Sequence, residues 1–215
     1  FKGKWLRKFD KNNTETDIFW ITKNNYINMP MMHTINTFRY FDDTMIQIIE
    51  LPYNGKDLSM YVILPKENYT IYDIDKCISE DNLLKRKDEL YHTEIELYFP
   101  KIKFVRKNDF IRETGKKGAD IPEGIFTVIL WSTGFHSLAG RKSFVEQASH
   151  IASIEISEEG AEDVAIDYVK YNCIKFIRPI PTIFRVNKPF IFFISEKETG
   201  LILFVGRVVN PVVVD

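Results

Sequence analysis

Apolar and polar positions along this chain follow the period of two more often than the period of 3.6. From Thr93 to Val105, Ile95, Leu97 and Phe99 fall on one face and Glu94, Glu96 and Tyr98 on the other, which is the pattern of a half-buried strand. Pro100 sits inside that stretch and brings no N–H, so an edge position or a bend is expected there. Met45–Leu51 and Leu58–Leu64 are two further strand-like apolar runs. They are separated by Pro52-Tyr53-Asn54-Gly55-Lys56-Asp57, whose Asn-Gly pair supplies the positive φ that a tight hairpin wants. Pro189–Ser195 and Leu201–Val209 read as a second hairpin, joined by Glu196-Lys197-Glu198-Thr199-Gly200 with Gly200 at the turn exit. Helix is the minority: Ile71, Ile74, Ile78, Leu83 and Leu84 predict helix within Tyr69–Leu90. Asn108 or Asp109 is placed to cap a short helix running to Lys117. No repeat or Pro-rich linker divides the chain. The pattern predicts one α+β domain with mixed β-sheets and few helices.

Composition narrows the function without giving it. Among 215 residues, 45% are apolar, and 29 basic against 30 acidic residues leave a net charge of −1. A folded core is expected, with no global attraction to nucleic acid or an anionic membrane. No apolar run approaches the roughly 18 residues that a membrane-spanning helix needs. Cys77 and Cys173 stand far apart and form neither a disulfide framework nor a metal-ligand pair. The opening Phe1-Lys2-Gly3-Lys4-Trp5 has no Met and no leader pattern and reads as a chain entered in mid-strand, so a longer parent protein is expected. Nucleophile elbows, phosphate loops, dinucleotide fingerprints and H-E-x-x-H are all missing. His33, His92, His136 and His150 are scattered, and no metal or other cofactor is expected. Adjacent acids such as Asp42-Asp43 and Glu158-Glu159 would point to opposite faces of a strand rather than at one substrate atom. Basic runs at Lys85-Arg86-Lys87, Lys101–Lys107 and Lys116-Lys117 read as solvated faces, with a polyanion patch as the alternative. Two sequons, at Asn12 and Asn68, favour a secreted glycoprotein.

Six segments, in order, resemble one family. Phe1-Lys2-Gly3-Lys4-Trp5 is similar to the serpin strand that leads into the breach tryptophan, here Trp5. Pro30-Met31-Met32 resembles the family's V-P-M-M, with Met29 before the proline. Leu51-Pro52-Tyr53 through Leu58-Ser59-Met60 to Leu64-Pro65 resembles its L-P-Y stretch, and Pro100-Lys101-Ile102-Lys103-Phe104 its P-K-F-K strand. Ile154–Gly160 is similar to the strand and hinge before the reactive loop. Asn187-Lys188-Pro189-Phe190 with Phe204–Pro211 resembles the C-terminal signature.

That resemblance to the serpins, the serine protease inhibitors, implies the C-terminal part of a single serpin domain over 1–215, with the N-terminal part absent and an exposed reactive-centre loop over 160–183. It implies a suicide substrate and no enzyme: a serine protease acylates the loop, and the cut loop inserts into the large sheet. Counting from Gly160, the reactive bond follows Ile174, or Lys175 if shifted by one. Arg178 is the third choice, disfavoured by Pro179. Ile174 points to a chymotrypsin- or elastase-like protease, and Lys175 to a trypsin-like one. The hinge comprises Glu158, Glu159, Gly160, Ala161, Asp163 and Ala165, and His150 resembles the shutter histidine. Strand periodicity puts Ala161, Asp163, Ala165 and Asp167 on one face, and the resemblance makes that the face buried on insertion. Burying Asp163 and Asp167 is costly, with His150 one candidate partner, so a non-inhibitory binding or chaperone-like serpin is the alternative. Cys173 lies beside the proposed bond, either as a reactive thiol or as a small subsite residue. An extracellular location is expected.

Overall fold

The computed structural model describes residues 1–55, 57–75, 85–109, 149–159 and 180–211. It falls into two compact units, Phe1 with Phe104–Ile154 and Lys2–Lys103 with Glu155–Asp215. In the first, the described residues belong mainly to β6 (Ile102–Asp109) and β7 (Ser149–Ile156), which pair as a two-stranded sheet. β6 stays extended through Asn108 and Asp109, and the helix expected to follow them lies outside the described residues.

The second unit is built on an eight-stranded sheet. Its strands are β1 (Glu15–Thr22), β2 (Asn25–Asp42), β3 (Ile46–Pro52), β4 (Leu58–Pro65), β5 (Tyr91–Pro100), β8 (Thr182–Arg185), β9 (Phe190–Glu196) and β10 (Ile202–Val208). They run in the order β10-β9-β4-β3-β2-β5-β8, with β1 also on β2. β2 has 18 residues and serves three partners in turn: its start pairs with β1, its middle with β5 and its end with β3. Every pairing is antiparallel except β5 with β8. A parallel neighbour cannot be reached by a tight turn, and the chain between Pro100 and Thr182 makes this long connection.

Local chemistry explains these elements. Gly55 (φ +96°) closes the β3–β4 turn and Gly200 (φ +75°) the β9–β10 turn, both in backbone regions that an L side chain rarely adopts. Tyr91–Pro100 buries Ile95, Leu97 and Phe99 as the alternation demands. At Pro100 the strand pairs with Met31 of β2, and Lys101 N–H then bonds Pro30 O at 2.9 Å. Pro100 is the last residue of β5, and Lys101 alone separates it from β6.

β4 and β9 are buried on both faces, which is why they read as unbroken apolar runs. On one face Ile46, Ile48, Tyr61, Ile63, Ile191 and Phe193 pack with Ile71 and Ile74 of helix α1 (Ile71–Asp75) and with Leu90. Residues 85–88 are helical as well, and 76–84 lie outside the described residues. The protein is therefore of the α+β class, strand-rich with few helices.

Candidate functional site

Trp5 is pulled inward by its indole. Its ring stacks on Tyr53 with centroids 4.6 Å apart, meets Phe99 edge-on at 6.4 Å, and is 4% exposed. The indole N–H needs a partner once buried, and it donates to Ser157 O at 2.8 Å. Trp5 N–H donates to Glu159 O at 3.1 Å, and Lys2 forms a parallel bridge with Glu155. Residues 2–5 are thus stitched alongside residues 155–159, the segment that ends β7 and leads into residue 160.

Charge reinforces this join. The Lys2 ammonium lies 3.3 Å from Glu155 and 3.7 Å from Glu159, and hydrogen bonding and attraction to Glu155 raise its pKa. Glu158 faces the other way, 6% exposed, with Lys101 Nζ at 3.3 Å and Thr14 Oγ1 donating at 3.1 Å. Burial pushes the Glu158 carboxyl upward. Its own backbone N–H, Lys101 and Thr14 together outweigh that, so it titrates below the usual range. The two adjacent glutamates, just past the end of β7, therefore take separate cations. Asp42 and Asp43 divide in the same way, between Lys66 and Arg86.

A second anchor holds the chain from Thr182 onward. Arg185 in β8 pairs with Asp17 at 3.1 Å and lies over the Tyr98 ring at 3.9 Å. Tyr98 donates its hydroxyl to Glu96 at 2.7 Å, and His33 Nε2 sits 3.2 Å from the same carboxylate. Thr182 and Ile183 are strand residues paired with Ile95 and Glu96, so the last two positions of the expected loop belong to β8.

Of the residues singled out in the sequence, the fold brings Trp5, Glu158 and Glu159 together. His150 lies in β7, and its side chain is not among those described. Gly160, Ala161, Asp163, Ala165, Asp167, Cys173, Ile174, Lys175 and Arg178 lie outside the described residues. Asn12, in a short 3-10 turn, and Asn68 are both exposed. Sequence reasoning missed Lys2, Lys101 and Thr14 as partners of the hinge glutamates. No local signal marks these pairs, because Thr14 and Glu158 are 144 positions apart.

A family model described as Serpin (serine protease inhibitor) matches residues 1–211. The sequence is 31% identical to Serpin B4 of Homo sapiens over 98% of this chain and 54% of that protein. It is also 31% identical to Antichymotrypsin-2 of Bombyx mori, over 96% of this chain and 54% of that protein. The crystal structure of mouse protein-Z dependent protease inhibitor matches with a TM-score of 0.79 at 28% identity, over 99% of this chain and 53% of that one. Uncleaved ovalbumin matches with a TM-score of 0.77 at 26% identity, over 98% of this chain and 52% of that one. The chain spans about half the length of these relatives.

Proposed function

The chain belongs to the serpin family, and from that premise we propose that its parent protein is a serine protease inhibitor acting as a suicide substrate. The stretch from Gly160 is offered to a serine protease. The protease serine attacks the carbonyl carbon of Ile174, or of Lys175 one position on; the peptide bond to the following residue breaks, its nitrogen leaves as a protonated amine, and the serine ester remains as the acyl-enzyme. The released loop then enters the large sheet as a new strand. Its drive is a row of new sheet hydrogen bonds and the burial of one loop face.

The observation that carries this reading is the stitched join before residue 160. Trp5 N–H to Glu159 O, Trp5 indole to Ser157 O, and Lys2 to Glu155 and Glu159 tie two neighbouring segments edge to edge. A strand entering at Gly160 has to part these contacts and replace them with its own. The exposed ion pairs contribute little, so the hydrogen bonds and the buried indole set most of the resistance. The protein supplies no catalytic residue to the reaction, and no cofactor is needed. An extracellular, glycosylated protein is the reading favoured by two sequons whose acceptors, Asn12 and Asn68, are exposed.

A second reading rests on Asp163 and Asp167. In an inserted strand, a period of two would put both on the face of Ala161 and Ala165, and each unpaired carboxylate buried there costs several kcal/mol or takes up a proton. Slow insertion would let the protease hydrolyse the acyl bond and escape, leaving a serpin that binds or chaperones without inhibiting.

The test is incubation of the intact protein with trypsin, chymotrypsin and elastase separately. A complex that survives boiling in detergent is expected, and mass spectrometry of the released peptide identifies the bond. A peptide beginning at Lys175 assigns it to Ile174, one beginning at Phe176 to Lys175, and one beginning at Pro179 to Arg178. Cleavage with no complex from any of the three proteases overturns the inhibitor reading in favour of the second.

A further inference from the structure

Between β8 and β9 the chain passes through Asn187, Lys188 and Pro189, and packing on either side fixes its course. Val186 and Phe190 are fully buried. Val186 N–H donates to Tyr98 O at 2.9 Å, and Asn187 O accepts the Trp20 N–H at 2.8 Å. Lys188 is therefore held on a pinned backbone, followed by a proline whose ring fixes its own φ. Its side chain is half-buried and lines a pocket of about 470 Å³. Every residue lining that pocket falls within 44–47, 64–68 and 183–188, all of them described.

Lys66 and Arg185 also line it, but their charges are taken, Lys66 by Asp42 and Arg185 by Asp17. Glu67, the carboxylate of the lining, is exposed and attracts the Lys188 ammonium only from beyond ion-pair distance. Lys188 has no ion pair among the described residues. Its burial is thus not compensated, and desolvation lowers its pKa against the weaker upward pull of Glu67. An ordinary lysine is neutral in on the order of one molecule in 10³ at pH 7, and each unit of pKa lost raises that share tenfold. A neutral amine held in a pocket is a nucleophile, and the proposed protease reaction has no use for this one.

We propose that Lys188 is a site of covalent modification, its amine capturing a small polar aldehyde as an imine inside this pocket. The lone pair on Nζ adds to the carbonyl carbon, and a proton passes from the amine to the carbonyl oxygen. The carbinolamine then loses water, and the carbon–nitrogen double bond forms without any oxidant or reductant. Thr44, Asn68 and Asn187 bring a hydroxyl and two amides to the lining, groups that suit a hydroxyl beside the aldehyde carbon. The volume falls in the range of small-molecule sites, roughly 300–1,000 Å³. The pocket shares no residue with the join before residue 160, so its test is separate from that of the inhibitor reading.

The intact protein is incubated at pH 7 with glycolaldehyde and sodium cyanoborohydride, which reduces the imine to a stable secondary amine. Peptide mass spectrometry then maps the labelled lysines. Lys188 is expected to label several-fold faster than the exposed Lys23, with a rate that saturates as glycolaldehyde is raised. The preference should shrink as pH approaches about 10, where ordinary lysines lose their proton too. Lys188→Arg should remove the fast site and leave labelling of Lys23 unchanged. Glu67→Gln should speed labelling of Lys188 at pH 7 by roughly twofold to fivefold, because a carboxylate that favours the ammonium is gone. A variant that merely failed to fold would lose the preference instead. Labelling of Lys188 no faster than that of Lys23 at pH 7, or a rate linear in glycolaldehyde at both, overturns the proposal.

Discussion

Glu158 shows how a single residue can be charged, buried and stable at once. Its carboxylate is desolvated, yet its own N–H, Lys101 and Thr14 favour the ionised form strongly enough to depress its pKa below 4.5. A carboxylate depressed on folding stabilises the protein above its unfolded pKa, and that contribution is lost as pH falls through the folded value. Lys101→Met leaves the buried acid without its cation and is expected to cost roughly 1–3 kcal/mol at pH 7. In urea melts, the gap between the variant and the parent should narrow as pH falls through the depressed folded value of Glu158, where the carboxyl takes up its proton in the parent as well. A gap that stays constant across the whole acid limb would show that Lys101 acts through packing instead. Trp5 teaches a related lesson: the sequence marked it, but its stack on Tyr53 and its bond to Ser157 decide what it holds.

At the scale of elements, the β9–β10 hairpin depends on a glycine that the turn does not explain. Gly206 lies directly opposite Phe192 in the register, and a Cβ there would meet the ring at 2.6 Å. Its φ is ordinary, so the demand is for space alone. Phe192 is 3% exposed and packed near Phe190, leaving the ring little freedom to yield. Gly206→Ala is therefore expected to destabilise by about 1–3 kcal/mol, in the range of overpacked cores. Adding Phe192→Leu should recover part of that loss, giving a favourable coupling in a double-mutant cycle. Strictly additive losses would mean the two positions do not press on each other. Gly200, by contrast, is needed for its positive φ, and the sequence placed it at the turn exit on that ground alone.

For the whole molecule, the issue is whether the folded state holds energy in reserve. If the loop inserts after cleavage, the new strand adds sheet hydrogen bonds and buried area that the uncut protein lacks. Cutting the intact protein once between Gly160 and Ile183 should then raise its melting temperature markedly, by well over the 2–4 °C that about 1 kcal/mol gives in a protein of this size or larger. An unchanged melting temperature would mean the loop does not insert, and Asp163→Thr with Asp167→Thr should then restore the rise if burial of those carboxylates is the obstacle.

The sequence by itself determined the local grammar of this protein. Alternation at Ile95, Leu97 and Phe99, the Asn54-Gly55 turn and the run of Phe190–Ser195 each carry their cause within a few residues, and six ordered segments sufficed for the family. It did not determine that β2 serves three partners, that β5 and β8 run parallel, or that Thr14, Lys101 and Lys2 close on the glutamates before residue 160. Those pairs join residues far apart along the chain, and any lysine or threonine would have looked the same in sequence. Whether a charge is neutralised or left over depends on which distant carboxylates the fold has already given to other lysines.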